Sequence, residues 1–153
     1  MAVRDRSQGR DPDRDRGSVQ RPGADRRREG SDGRLSEEID TKLIESFAEE
    51  ARRRCDVIVA GLETGTNDYE ALRAESHALK GTAAVVQLQR LAELAGLMES
   101  DLAEAAKTGQ LRDNRIQQIS DAAKALAEGA EAAAAGNDEP ADVGRSLAQL
   151  FSA

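Results

Sequence analysis

The chain predicts an all-α fold, an antiparallel up-down four-helix bundle followed by a short C-terminal helix. Three observations carry this expectation. Hydrophobic residues make up 39% of the 153 and aromatic residues 2%, so the core has to be built from Leu, Ile, Val and Ala, whose small aliphatic side chains suit closely packed helices. No run alternates apolar and polar residues with the period of two that a half-buried sheet requires. Apolar residues instead recur at spacings of three and four in successive stretches joined by short breaks, the pattern of antiparallel neighbours in a bundle.

Residues 1–34 contain almost only Arg, Asp, Gly, Ser, Pro and Gln, and nothing in them can offset the entropy of ordering the chain, so a disordered tail is expected. Acids alternate with most of its arginines. Arg26 to Arg28 could touch a membrane surface or nucleic acid, but a solvated tail is the simpler expectation.

The bundle is expected over 35–136. Ser36, followed by Glu37, Glu38 and Ile39, looks like a helix start with acids against the positive end of the dipole. Leu43, Ile44, Phe47, Ala51, Cys55, Ile58 and Leu62 then share one face until the glycines at 61 and 65. Cys55 on that face reads as a buried structural thiol. Asn67 or Thr66 can cap a second helix with Tyr69, Leu72, Ser76, Leu79, Ala83 and Val86 inward.

A third helix is expected from about Leu88 to Lys107, with Leu91, Leu94, Ala95, Met98, Leu102 and Ala105 as its inner stripe and Thr108-Gly109 as its end. Met98 reads as core filler. A fourth helix from about Arg112 places Ile116, Ile119, Ala123, Leu126 and Ala130 inward and runs out at Gly136. Over 137–153, Pro140 opens a short amphipathic helix with Val143, Leu147, Leu150 and Phe151 on one side. That helix either covers one end of the bundle or docks a partner, and covering is favoured because an unused apolar stripe is a liability.

The formal charge of -7 is unevenly divided. Positions 1–34 hold ten Arg against seven acids, whereas the remainder holds twelve basic residues against 22 acids. An acidic folded part argues against nucleic acid as its partner, since phosphate neutralisation needs a basic face. One Cys and one His cannot make an internal disulfide or a zinc site. No apolar stretch approaches the ~20 residues of a membrane span, nor does the N-terminus carry a signal-peptide core. A cytoplasmic protein without membrane insertion is expected.

The single histidine, His77, is where chemistry concentrates. At 100 degrees per residue it lies roughly 140 degrees from the centre of its helix's apolar stripe, and is therefore exposed. The same arithmetic puts Arg73, Lys80, Gly81 and Ala84 around it, with Ala78 and Val85 on the outer side. A neutral imidazole nitrogen is a nucleophile that can hold a phosphoryl group, and neighbouring cations favour its free lone pair and later offset the phosphate charge. Gly81, costing ~1 kcal/mol relative to Ala in a helix interior, makes sense where a partner backbone or a phosphate must come close.

The run His77-Ala78-Leu79-Lys80-Gly81-Thr82-Ala83 resembles the signature His-x-Leu-Lys-Gly-Ser/Thr-Ala of the histidine-containing phosphotransfer (HPt) family of two-component signalling. The similarity continues through Leu91-Ala92-Glu93-Leu94-Ala95 and Leu97-Met98-Glu99 and covers residues 35–135 in layout. The resemblance implies that His77 is the phosphorylated residue, Lys80 the phosphate-side cation and Gly81 the clearance beside it. It implies that Glu99, 22 positions on, orients the histidine through its other ring nitrogen. Arg73, Ala78, Ala84 and Val85 would then border the docking surface. Gln87 departs from the pattern, for the family usually has Gly at that turn.

No Gly-x-x-x-x-Gly-Lys loop stands in the sequence, and like the family it resembles the chain is expected to be a phosphoryl carrier without kinase activity of its own. The resemblance implies a response-regulator receiver domain and a sensor or hybrid histidine kinase as partners. It implies no cofactor of the chain's own, the Mg and acceptor Asp belonging to the receiver. Two readings compete with it: a phosphoacceptor domain dedicated to one kinase, and a helical adaptor whose histidine is never phosphorylated and which binds through its terminal segments.

Overall fold

The computed structural model describes residues 37–152; the tail expected over 1–34 and the Ser36 cap lie outside them. Every regular element among the described residues is helical. Helix α1 covers 37–63, α2 Tyr69–Val85, α3 Gln89–Thr108, α4 Asp113–Ala135 and α5 Ala141–Phe151.

Contacts between helices fix the up-down order. On α1 and α2, Arg54 meets Glu75 at 2.8 Å and Gly61 faces Leu72, so the two run antiparallel. On α1 and α4, Arg52 meets Glu131 and Glu63 meets Lys124, again with opposite direction. Leu91 and Asp101 of α3 face Gly129 and Arg115 of α4 in the same reversed sense. The four helices thus close a ring around Ile58, Leu79, Leu94, Met98, Leu102, Ile119 and Leu126, all fully buried. Leu43, expected inward near the start of α1, is instead 44% exposed.

Turn chemistry accounts for the ends. The cap of α2 is Asp68 rather than Asn67 or Thr66: its carboxylate accepts the Ala71 N–H at 3.2 Å, while the Thr66 hydroxyl accepts the Asp68 N–H. An acid there also faces the positive end of the helix dipole. Helices α3 and α4 end at Gly109 and Gly136, each with positive φ. Helix α2 ends in a Schellman turn, where Gln87 N–H bonds Ala84 C=O and Leu88 N–H bonds Ala83 C=O. Gln87 holds the left-handed position of that turn at φ 65, so the loop has the geometry a glycine would give it, with strain added.

Helix α5 corrects the expectation of an end cover. Its start lies near Gly129, where Val143 would meet any Cβ at 3.1 Å, and its last carbonyls reach Arg115. It therefore lies lengthwise in the groove between α3 and α4, antiparallel to α4, and buries Val143, Ser146 and Leu150. Gly129 permits that close approach because it has no side chain. Leu147 is only half-buried and Phe151 is 79% exposed, so the stripe expected on one side is split. No helix among the described residues is long and apolar enough to cross a membrane.

Candidate functional site

His77 sits in the middle of α2 on the face turned away from Leu72, Leu79 and Ala83, which are buried. Its side chain is 63% exposed. The ring is nonetheless held: Nδ1 lies 2.8 Å from Oε2 of Glu99, across the α2–α3 contact. A carboxylate can only accept, so Nδ1 carries a proton and, in the neutral ring, Nε2 keeps the lone pair.

Glu99 is the hub of the site. Its side chain is only 14% exposed, yet it meets three donors. Oε2 takes His77 and, at 3.1 Å, Nη1 of Arg73; Oε1 takes Nζ of Lys80 at 2.9 Å. Burial pushes the Glu99 carboxyl up, but the hydrogen bonds and charges of Lys80 and His77 outweigh it and hold the group below its ordinary value. The carboxylate is therefore ionised where it can fix the imidazole.

The two cations expected beside the imidazole both end on Glu99. They differ in how they are tied. Arg73 is gripped on its other side by Glu70 Oε2, at 2.9 Å from Nε and 2.6 Å from Nη2, and Glu70 is the larger cause of its guanidinium's raised affinity for the proton. Lys80 is 45% exposed and touches Glu99 alone among the ion pairs of the described residues.

Gly81 faces open space, with no atom within 4 Å of where a Cβ would stand. Ala84 and Val85 are exposed and Ala78 is half-buried. Val85, 73% exposed, borders a groove of mixed polarity lined by Asp40, Leu43, Ile44, Val86 and Gln87. The structure brings His77, Lys80, Arg73 and Glu99 into one cluster, and Gly81, Ala78, Ala84 and Val85 lie along the same helix.

Sequence reasoning missed Gly96. A Cβ there would come within 3.3 Å of Lys80 Cδ, so the glycine makes the bed in which the lysine stem lies on its way to Glu99. A glycine inside a strongly periodic helix was the available signal, because it costs about 1 kcal/mol of helix propensity without a local reason. No group of three or more His, Cys, Asp or Glu is arranged to hold a metal among the described residues.

An exposed, oriented histidine with a bare nitrogen, two cations and a cleared helix face suits reversible transfer of a small anionic group. The sequence model of the Hpt domain matches residues 42–144, a span that includes the whole cluster and all of the four-helix bundle but the first residues of α1. Neither a curated protein nor a solved structure matches the chain significantly. The domain match covers more than half of the sequence, and with it the chain belongs to the Hpt family, whose members act in phosphotransfer in two-component signalling.

Proposed function

We propose that this protein carries a phosphoryl group on Nε2 of His77, between a receiver-domain aspartate and a second receiver or a sensor or hybrid histidine kinase, in the cytoplasm. The observation that carries the reading is the Nδ1–Glu99 bond at 2.8 Å, which leaves Nε2 as the nucleophile on an exposed ring. In the transfer the Nε2 lone pair attacks phosphorus and the bond to the aspartyl oxygen breaks, that carboxylate leaving with the electron pair. The ring then holds phosphorus on Nε2 and hydrogen on Nδ1, and the ionised Glu99 balances its positive charge.

The Mg ion of the exchange is the receiver's, and this chain acts as carrier and has no kinase activity. Docking falls on the outer face of α2, where Ala78, Gly81, Ala84 and Val85 leave room and the groove beside Val85 offers both apolar and polar contact. A transient interface of this kind is small.

The test is incubation with a receiver domain carrying radiolabelled aspartyl phosphate. Wild type takes up acid-labile label and His77→Gln takes none. Equal labelling of the two, or none on folded wild type with its cognate receiver, would sink the reading.

A further inference from the structure

We propose that Arg73 is the positioning residue of the phosphorylated histidine, holding Glu99 in place so that Lys80 is free to leave it for the phosphoryl group. The inference rests on His77 being the carrier. Its ground is an asymmetry between the two cations. Arg73 bridges two acids, with Nε and Nη2 on Glu70 and Nη1 on Glu99. A planar guanidinium with donors on both edges is suited to that bridge, and a lysine ammonium is not. Lys80 has the opposite character: one acid partner, a half-exposed flexible stem and the bed of Gly96 to slide in.

The oxygens are divided in the same way. Arg73 bonds Oε2, the oxygen that accepts the His77 proton, and Lys80 bonds Oε1, which the histidine does not use. When the Nε2 lone pair displaces the aspartyl oxygen from phosphorus, dianionic phosphoryl oxygens arrive within reach of the lysine, and its move to them breaks only the Oε1 bond. Glu99 then has to stay ionised and oriented, because the ring has become cationic through its N–P bond and its retained Nδ1–H. With Arg73 still on Oε2, the carboxylate keeps one cation and its rotamer. Without Arg73, the departure of Lys80 would leave a largely buried carboxylate tied to the imidazole alone.

Two measurements separate this role from a part in partner docking. The first is the tautomer of the His77 ring, read from its nitrogen chemical shifts in the free full-length protein. Wild type, Lys80→Gln and Arg73→Ala give Nδ1–H, because one cation still holds Glu99 in each, while the double variant Arg73→Ala/Lys80→Gln gives a mixture with Nε2–H. The second is transfer from a radiolabelled receiver as a function of receiver concentration. Arg73→Ala lowers the maximal rate about five- to tenfold with an unchanged half-saturating concentration, and Arg73→Lys recovers part of it.

A wild-type tautomer in Arg73→Ala/Lys80→Gln or a wild-type maximal rate in Arg73→Ala would overturn the inference, as would a change confined to the half-saturating concentration, which assigns the arginine to docking. Absence of label on wild type overturns the carrier reading instead, and the tautomer comparison then decides the role of Arg73 by itself. Circular dichroism of each variant guards against loss of the fold.

Discussion

A hydroxyl next to His77 is buried with nothing to bond. Ser76 is fully buried on the inner face of α2 and its Oγ has no partner. A desolvated hydroxyl left unpaired costs about 1–3 kcal/mol, and Ala fills nearly the same volume. Ser76→Ala is therefore expected to raise unfolding free energy by about 1 kcal/mol in urea titration, without altering label uptake by His77. Glu99, in contrast, carries a pH dependence. Its carboxyl lies below the ordinary 4.5, so the folded state favours the ionised form. The stability it supplies is present above pH 4.5 and is lost as pH falls through the lower folded value. Asp101 has the opposite sense: burial, opposed by Arg115, raises its carboxyl above 3.8, so it gains stability as pH falls. The acid limb of the wild type sums both, and subtracting Glu99→Gln isolates Glu99. The variant should be the less stable at pH 7, with the gap closing below about pH 4.5.

At the scale of elements, two junctions hold stability that the sequence alone does not display. Gln87 occupies the left-handed position of the α2–α3 turn, where a side chain costs roughly 1–2 kcal/mol and glycine almost nothing. Part of the gain from glycine is returned as entropy of the unfolded chain, so Gln87→Gly is expected to stabilise by about 0.5–1 kcal/mol, measurable as a shifted denaturation midpoint at unchanged slope. The second junction is Arg115, side chain 9% exposed, which pairs with Asp101 at 2.8 Å and donates to the Gln149 and Leu150 carbonyls at the end of α5. Arg115→Ala removes the donor for α5 and strands the Asp101 charge, for about 3 kcal/mol of destabilisation. Amide hydrogen exchange should show protection lost in α5 first. The helices themselves were legible because Leu, Ile and Ala repeat at spacings of three and four. The path of α5 was not: the pattern Val143, Leu147, Leu150 announces an apolar face, but what it meets depends on Gly129 and on a buried arginine, and an arginine between two helices has no periodicity. At the site, the motif and the spacing to Glu99 were legible on one helix at a time. The sharing of Glu99 among Arg73, His77 and Lys80 was not, since it depends on the register of α2 against α3.

For the whole molecule, the question is whether the bundle opens as one unit, and Cys55 can answer it. Its thiol is fully enclosed in the core, near the backbone of Ala127, and lies on α1, which packs between α2 and α4. Burial first, then the charge of Asp56, pushes the thiol up to about 12, so at pH 8 it is neither ionised nor reachable. A site with that geometry reacts only through opening. If α1 to α5 unfold together, alkylation of native protein should be slowed about a thousandfold or more relative to the urea-unfolded chain. Its rate should rise with urea along the slope of the global transition seen by circular dichroism. A shallower slope would mean that α1 leaves the ring while the other helices stay folded. That outcome bears on function, because Arg54 of α1 ties Glu75, two residues before His77, at 2.8 Å, and a detached α1 would loosen the helix on which the histidine is presented. The global outcome instead makes the α2–α3 register, and with it the Glu99 cluster, as durable as the fold.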